Sequence, residues 1–323
     1  MQTLTLHEQF DLQGFVVLED ILDPVRDLQP VIDDYQLALN DLSRRWLAEG
    51  VISETHDDLP FTERFMKLIA DSQQPWSQFL DISLPQKGVT ENTPIHLSEA
   101  VFNLLTTPRL IDIVEQFIGP EILSNPIQHT RIKPPETLIA PERLRGLDGI
   151  SAQSDWHQDQ GVALPEADNT SILTVWFPIT DATVENGCLR VIPGSHRKDL
   201  TTHCPDGIGG GLHIPEKLLG SDPIALPMKK GSVLFMHRLT KHSSLRNLSN
   251  EVRWSFDLRY QPIGQPTGRP AFPSFIVRSR QHPESVVTDY RLWVKMWHDA
   301  RARLAQAEMS TFNRWTSDSP VCA

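Results

Sequence analysis

Residues 170–192, TSILTVWFPITDATVENGCLRVI, contain two apolar, β-branched runs that are separated by a polar segment. The runs 170–179 and 188–192 have the length and composition of strands. Between them, Asn186 and Gly187 are most simply interpreted as the centre of a hairpin turn. This stretch predicts antiparallel β structure, and the sequence on either side shows how far that structure extends.

Similar runs follow at 224–228, 232–236 and 252–260, with Pro, Gly, Asn and Asp between them. Many short strands punctuated by turn residues are typical of a sandwich, a barrel or a jelly roll. We therefore expect a mainly β core over residues 121–262.

Helical periodicity dominates before and after this core. The predicted helices are 9–13, 28–47, 61–70, 98–103, 108–117 and 283–307, with a short strand at Phe15–Leu18. No repeat or long linker separates these segments. We predict a single domain over residues 1–323, with a mostly helical part at 1–120 and a C-terminal extension at 263–323.

The composition excludes several classes of function. The 323 residues carry a formal net charge of -11, whereas sequence-independent nucleic-acid binding requires basic residues that face phosphate. The N-terminal sequence MQTLTLHEQFDLQGF lacks the features of a secretory signal, and no window approaches the roughly 20 apolar residues of a membrane span. Cys188, Cys204 and Cys322 are too few and too scattered to predict a disulfide framework, which favours a reducing compartment. We expect a cytoplasmic protein that binds neither nucleic acid nor membrane.

A possible metal site begins in SDWHQDQG, where His157 and Asp159 flank a single residue. Imidazoles and a carboxylate together suit Fe(II), Zn(II) and related ions. On a strand the two side chains would point to the same face, so that they could bind one ion side by side. Roughly one such HxD pattern is expected by chance in this chain. A second one does begin at His56, and we interpret it as a solvated helix N-terminus.

A third ligand would complete a triad that leaves three cis positions open on the metal. Two histidines compete for this role in GSVLFMHRLTKHSSLRN. His237 is in phase with the apolar residues of a predicted strand, which favours a packed core residue, whereas His242 follows the strand. Arg253 comes eleven residues after His242 and could pair with a dicarboxylate held against the metal. A surface ion pair is the alternative for Arg253, but its combination with His242 and HxD favours the binding role.

These residues lie in motifs that resemble the phytanoyl-CoA dioxygenase family. The motifs are WHQDQG, VWFPITDATVENGCLRVIPGSH and GSVLFMHRLTKHSS followed by Arg253, and the opening GFVVLEDILDP is also similar. The resemblance covers roughly residues 8–262. It implies a double-stranded β-helix, a cupin-like jelly roll, that is wrapped by N- and C-terminal helices.

The resemblance also assigns roles to residues at matching positions. It implies that His157, Asp159 and His242 are the iron ligands, and that Arg253 and Ser244 bind the distal carboxylate of 2-oxoglutarate. In the wider superfamily a carboxylate at the position of Asp159 indicates hydroxylation or desaturation, whereas a small residue there indicates halogenation. A halogenase is therefore disfavoured.

Three further residues are expected to contact the co-substrate. Trp176 has the spacing to ENGCL of a cofactor-contacting tryptophan of the family, and Lys133 in RIKPPE matches a family lysine. Gln158 lies between two ligands, although its side chain should point away from the metal.

The implied chemistry uses Fe(II), 2-oxoglutarate and O2 to hydroxylate or desaturate a small organic substrate, with release of succinate and CO2. One alternative is a cupin-like metalloenzyme that needs no 2-oxoglutarate, and another is a non-catalytic metal- or ligand-binding module. Arg253 and Ser244 distinguish these alternatives, because only a dicarboxylate co-substrate requires such a clamp. We expect the protein to act as a monomer or a homodimer.

The substrate itself is less constrained by the sequence. The glycine-rich loop 203–213 is expected to cover the site. Arg269, Arg278 and Arg280 could bind an anionic substrate, or they could pack the C-terminal extension. No lysine- and arginine-rich rim for coenzyme A is apparent.

Overall fold

The computed structural model describes residues 4–144, 153–205, 207, 211–307 and 313–322. Its helices are α1 (Leu6–Gln13), α2 (Gln29–Ala48), α3 (Phe61–Ser72), α4 (Ser77–Leu80), α5 (Glu99–Leu105), α6 (Pro108–Ile118), α7 (Pro141–Leu144), α8 (Asp159–Val162) and α9 (Tyr290–Gln306). Its strands are β1 (Phe15–Leu18), β2 (Ile122–Lys133), β3 (Leu173–Pro178), β4 (Leu189–Val191), β5 (Ile224–Leu226), β6 (Val233–His237), β7 (His242–Ser244), β8 (Arg253–Pro262) and β9 (Phe275–Arg278). None of these described helices is both long and apolar enough to cross a membrane.

The predicted helices are confirmed, with small changes at their ends. The last of them begins at Tyr290 rather than at 283. The side chain of Asp23 accepts hydrogen bonds from the backbone N–H groups of Val25 and Arg26, as an N-cap does. This cap starts a π-helical turn, Pro24–Leu28, which leads directly into α2.

The strands form two antiparallel sheets. The main sheet has the order β1-β6-β3-β8-β2-β9, and the second sheet has the order β5-β4-β7. The mainly β structure with helices is therefore as predicted, and each predicted strand overlaps an observed one. Sequence reasoning missed β2, β7 and β9. Because β9 belongs to the C-terminal extension and pairs with β2, that extension contributes an edge strand to the main sheet.

The predicted hairpin at Asn186 and Gly187 is wrong. β3 pairs with β6 and β8 in the main sheet, whereas β4 pairs with β5 and β7 in the second sheet, so the segment between β3 and β4 crosses from one sheet to the other. The Asn186 side chain stabilises a turn there, accepting from the N–H of Thr183 at 2.7 Å and donating to the carbonyl of Asp181 at 2.8 Å. Turn residues specify a local bend, but they do not specify the partner strand.

Alternate residues of the main sheet face two different surroundings. Phe177 on β3 and Phe256 on β8 pack into the large core that the helices share. Trp176 and Met236 point the other way and pack with Leu189 of the second sheet. Successive side chains of a strand point to opposite faces. The helices therefore cover one face of the main sheet, and the second sheet lies against the other.

The cysteines also depart from expectation. Cys204 and Cys322 form a disulfide, whereas Cys188 is a buried free thiol. The two bonded residues are 118 positions apart, so no local spacing pattern predicts that they form a disulfide. The inference from cysteine usage to a reducing compartment therefore loses its basis.

Candidate metal centre

His157 and His242 are brought together by backbone pairing. The N–H of His157 donates to the carbonyl of His242 at 2.9 Å, and the N–H of His242 donates back at 3.0 Å. Asp159 does not continue this extended segment, because it is the first residue of α8. The expectation of a strand-borne HxD is therefore wrong. The chain turns from extended to helical after Gln158, and this turn directs the carboxylate towards both imidazoles.

The three side chains form a compact ligand set. The Oδ1 atom of Asp159 lies 3.9 Å from Nε2 of His157 and 3.8 Å from Nε2 of His242. Two ligand atoms that are each about 2.1 Å from one ion lie at most about 4.2 Å apart, so the carboxylate can share an ion with either ring. Within the described part of the chain, this is the only cluster of three or more His, Cys, Asp or Glu residues with ligand atoms within 4.8 Å of one another.

Hydrogen bonds on the far side of each ring determine which nitrogen faces the cluster. Nδ1 of His157 lies 2.7 Å from the carbonyl oxygen of Asp155, and Nδ1 of His242 lies 3.0 Å from that of Thr240. A carbonyl only accepts, so Nδ1 carries the proton and the Nε2 lone pair is left for a metal. Burial, with a smaller effect from His242, lowers the pKa of His157 to about 3. This imidazole is therefore neutral at neutral pH, as a metal ligand must be.

The carboxylate of Asp159 is held by two residues that sequence reasoning missed. Arg259 on β8 donates to Oδ1, and Thr174 on β3 donates to Oδ2. Burial by itself would raise the pKa of Asp159, but Arg259 and the two imidazoles hold it below its ordinary value. The Asp159 carboxylate is thus ionised at neutral pH although only 1% of its surface is exposed.

The rival histidines lie elsewhere. Nε2 of His56 is 3.1 Å from a carboxylate oxygen of Asp71, outside the cluster. The ring of His237 packs against Phe10 and His196, and burial lowers its pKa to about 4. His237 is therefore a packed residue at the end of β6.

Arg253 is fully buried at the start of β8 and lines the same pocket as the two histidines. Its Nη1 donates to Oγ of Ser255 at 2.5 Å, but its Nε and Nη2 receive no hydrogen-bond partner from the residues that the structure describes. The guanidinium lies over the ring of Trp176, 5.8 Å from its centroid. Buried donors without partners are rare and costly. This arginine therefore has the properties of a binding group for an anion.

Lys133 and Ser244 adjoin Arg253. Lys133 is the cross-strand partner of Arg253 in the pairing of β2 with β8, and its Nζ donates to Oγ of Ser244. Burial, and next the positive charge of Arg253, lower the pKa of Lys133 well below its ordinary value. Arg253, Lys133, Ser244 and Trp176 thus meet at one place, although sequence reasoning placed them in separate motifs.

The pocket that contains these groups has a volume of about 330 Å³ including its open mouth. Its lining residues are Arg131, Ser154, His157, Thr174, Trp176, Leu189, Met236, His242, Ser244, Arg253 and Asp257. Arg131 and Asp257 were not predicted to lie here, and they form an ion pair with a shortest distance of 2.8 Å. In RWSFDLRYQP the polar residues alternate with aromatic and aliphatic ones. That period of two was the available signal for Asp257 and Arg259.

Gln158 lies outside this lining. Its amide donates to the carbonyl of Leu239 at 2.8 Å and accepts from the N–H of Thr201 at 2.7 Å, and the side chain is fully buried. The side chain points away from the metal ligands, as expected. The structure therefore gives no support to the predicted contact between Gln158 and the co-substrate.

The arginines of the C-terminal extension have protein partners. Arg269 donates to the carbonyl of Val162 at 2.7 Å, whereas Arg278 and Arg280 pair with Glu115 on α6. Of the two interpretations, the structure favours packing of the extension over substrate binding.

The proposed lid, 203–213, is partly outside the described residues, since residues 206 and 208–210 are not among them. The end at His203 is anchored. Nε2 of His203 accepts from the N–H of Gln158 at 2.9 Å, and its ring stacks on Trp315 with centroids 5.1 Å apart. Trp315 also donates to the carbonyl of Gly161 at 2.7 Å, so the C-terminal segment packs against α8.

The chain is similar to curated proteins over part of their length. It is 29% identical over 175 residues to the peroxisomal phytanoyl-CoA dioxygenase of Bos taurus, which is 52% of this chain and 48% of that protein. It is 27% identical over 194 residues to the enzyme of the same name from Rattus norvegicus, which is 56% of this chain and 53% of that protein. The chain thus matches about half the length of these relatives.

A solved structure shows the same fold. The apo form of the non-heme monooxygenase ThoJ matches with a TM-score of 0.53 at 18% identity, covering 94% of this chain and 99% of that one. The family model for phytanoyl-CoA dioxygenase (PhyH) matches residues 10–255. The chain therefore belongs to the phytanoyl-CoA dioxygenase family.

Proposed function

We propose that this protein is a non-haem Fe(II)/2-oxoglutarate-dependent dioxygenase that hydroxylates, or desaturates, a small organic substrate. The observation that carries the proposal is the position of Arg253. Its guanidinium is buried in the pocket that His157 and His242 of the ligand cluster line, and no described residue pairs with its Nε and Nη2. A dicarboxylate with one end on the metal would satisfy these donors with the other end.

Separate groups of residues would bind the iron and the co-substrate. His157, Asp159 and His242 would hold iron, and the neutral imidazoles with an ionised carboxylate suit Fe(II). Iron at this site, with 2-oxoglutarate and O2, would supply an oxidation in which the co-substrate loses CO2 and becomes succinate. Arg253 and Ser244 would bind the distal carboxylate. The buried position of both limits water at the co-substrate and strengthens the electrostatic contacts there.

Lys133 and Trp176 would complete the co-substrate site. The Nζ of Lys133 already donates to Ser244, and Trp176 presents its ring to Arg253. The indole Nε1 of Trp176 has no partner in the described part of the chain, so it is a further donor within this pocket.

Neither of the two alternative functions explains why Arg253 is buried beside the metal ligands. A cupin-like enzyme that needs no co-substrate, or a module that only binds a metal, would gain nothing from a buried arginine. Burying a cation without a counter-ion costs several kcal/mol, so a compensating ligand is the simplest account of Arg253. Membership of the phytanoyl-CoA dioxygenase family supports the same choice.

The proposed substrate is small and polar. Arg131 and Asp257 line the pocket as an ion pair, so its wall offers a substrate both donors and acceptors. We find no support for a coenzyme A handle in Arg278 and Arg280, which pair with Glu115.

The proposed fold is a jelly roll, a double-stranded β-helix, that acts as one domain over residues 1–323. The apolar cluster between the two sheets and the pairing of β9 with β2 support this arrangement. We expect a monomer or a homodimer. The cytoplasmic prediction has lost its cysteine argument, since Cys204 and Cys322 are joined.

The test begins with the metal-free protein in the absence of oxygen. Adding Fe(II) and 2-oxoglutarate should produce the weak visible charge-transfer band of the chelate, and adding O2 should then release succinate. Asp159→Ala and His242→Ala should lose both signals, because each removes one ligand of the cluster. A screen for compounds that stimulate succinate release would then identify the substrate.

His56→Ala is the matched control, since it removes the first residue of the other HxD pattern, outside the cluster. It should keep the band and the succinate. If the wild-type protein gives no band, or if the band survives Asp159→Ala, the proposed function is wrong.

A further inference from the structure

Both oxygens of the Asp159 carboxylate already hold a hydrogen-bond donor. Arg259 donates to Oδ1 and Thr174 donates to Oδ2, and all three side chains are at least 98% buried. Oδ1 is the oxygen that lies 3.8 and 3.9 Å from the two Nε2 atoms. The carboxylate therefore presents one defined oxygen to the ion site, while the other is turned towards Thr174.

The two donors are fixed by the main sheet. Thr174 and Arg259 are directly opposite each other in the pairing of β3 with β8. Arg259 is held further by Nη1, which donates to the carbonyl of Ile127 at 2.9 Å and lies 3.4 Å from Oδ1 of Asp257. A planar guanidinium reaches several acceptors in a rigid geometry that a lysine ammonium does not reproduce. The donors are thus rigid, whereas α8, which carries Asp159, is only one turn long.

A carboxylate can bind a metal through one oxygen or through both. In the proposed function a second carboxylate oxygen would take a position on the ion that the co-substrate or O2 requires. A donor on each oxygen opposes this, because the hydrogen bond from Thr174 holds Oδ2 and fixes the orientation of the carboxylate.

We propose that Arg259 and Thr174 form a clamp that holds Asp159 as a one-oxygen ligand through Oδ1, which makes them positioning residues for the metal centre. The inference rests on the proposed function, since it requires an ion at the triad. It adds residues from β3 and β8, and it explains why a polar threonine and an arginine are buried on the pocket side of the sheet.

The experiment uses Co(II) alone, without 2-oxoglutarate or oxygen. The affinity is measured by competition with a chelator, and the visible spectrum of bound Co(II) reports its coordination. Thr174→Val keeps the shape of the side chain but removes its donor, so the Co(II) affinity should fall about 10-fold and the spectrum should change. Thr174→Ser restores the hydroxyl and should return both towards the wild type.

Arg259→Lys keeps the positive charge but removes the planar guanidinium that donates to several acceptors. The Co(II) affinity should therefore fall by about 10- to 100-fold. Arg269→Lys is the matched control. Arg269 is also buried and also reaches the α8 region, but it donates to the backbone carbonyl of Val162 rather than to the carboxylate. Its variant should bind Co(II) with the affinity and spectrum of the wild type. Thermal unfolding of each metal-free variant confirms that it is folded.

The outcomes separate the two proposals. If the wild type binds Co(II) through His242 but Thr174→Val binds it equally well with an unchanged spectrum, the clamp is wrong and the proposed function stands. If Arg259→Lys does not fold, the comparison of Thr174→Val with Thr174→Ser still tests the clamp. If the wild type binds no Co(II), or His242→Ala binds it as tightly, the metal centre and the clamp fail together.

Discussion

The two faces of β8 carry opposite kinds of residue. The face towards the helices carries Trp254, Phe256, Leu258 and Tyr260, and all four belong to the large core. The face towards the pocket carries Arg253, Ser255, Asp257 and Arg259, and all four are buried. One strand thus contributes to stability on one side and to the chemistry of the site on the other.

The hydrogen bonds show what this difference means. On the helix side, Trp254 Nε1 donates to Oγ1 of Thr130 at 2.9 Å, and Tyr260 donates to the carbonyl of Leu105 at 2.6 Å. On the pocket side, two nitrogens of Arg253 lack a partner among the described residues. The hydrogen-bonding groups of the apolar face are satisfied within the protein, whereas the polar face has donors that the proposed co-substrate would satisfy. Substitutions on the two faces should therefore separate stability from binding.

The largest expected effect is on the apolar face. Phe256→Ala removes a fully buried ring that stacks on Phe177, and it should lower the free energy of unfolding by about 3–5 kcal/mol. Urea unfolding followed by tryptophan fluorescence measures this loss. Where the variant is folded, its affinity for 2-oxoglutarate should match the wild type. An unchanged urea midpoint would contradict the assignment of this face to stability.

The next effect is on the polar face. Arg253→Leu removes the proposed clamp, so the affinity for 2-oxoglutarate should fall about 100-fold in the absence of oxygen. Its free energy of unfolding should not fall, because the substitution removes a buried cation whose donors lack partners among the residues described. The matched control is Arg278→Leu, which breaks a pair with Glu115 away from the pocket. Equal loss of affinity in both variants, or none in Arg253→Leu, would mean that the clamp is elsewhere.

The same contrast explains what the sequence could predict. The apolar runs predicted β3 and β6, because burial on both faces leaves a continuous apolar run, and the alternation of polar and apolar residues predicted β8. By contrast, β2 contains Asn125, Gln128 and Lys133, which are buried because other elements satisfy or surround them. β9 is an edge strand whose position depends on β2. Neither strand has a pattern that can be recognised without its neighbours.

The residues of the site also differ in whether the sequence could predict their roles. His157, Asp159 and His242 could be proposed from sequence because few side chains bind Fe(II), and their motifs resemble a family. The alternation in β8 is a signal that Arg259 lies on the polar face, but the contacts of Arg259 and Thr174 with Asp159 could not be predicted, because they span 100 and 15 positions of the chain. Their role comes from strand register, which no local spacing encodes. The Cys204–Cys322 pair was also not predicted, because its two residues are 118 positions apart.

The smallest expected effect concerns Lys133, which lies beside the clamp on the polar face. Burial, and then Arg253, lower its pKa well below the ordinary lysine value in the free protein. A carboxylate bound beside it should raise that pKa again, so binding takes up a proton at any pH between the two values. In that window the affinity for 2-oxoglutarate should fall by up to about tenfold for each unit that the pH rises. Calorimetry in two buffers of different ionisation enthalpy measures the uptake directly. The buffer dependence should disappear in Lys133→Met, and equal heats in both buffers for the wild type would show that Lys133 does not join the clamp.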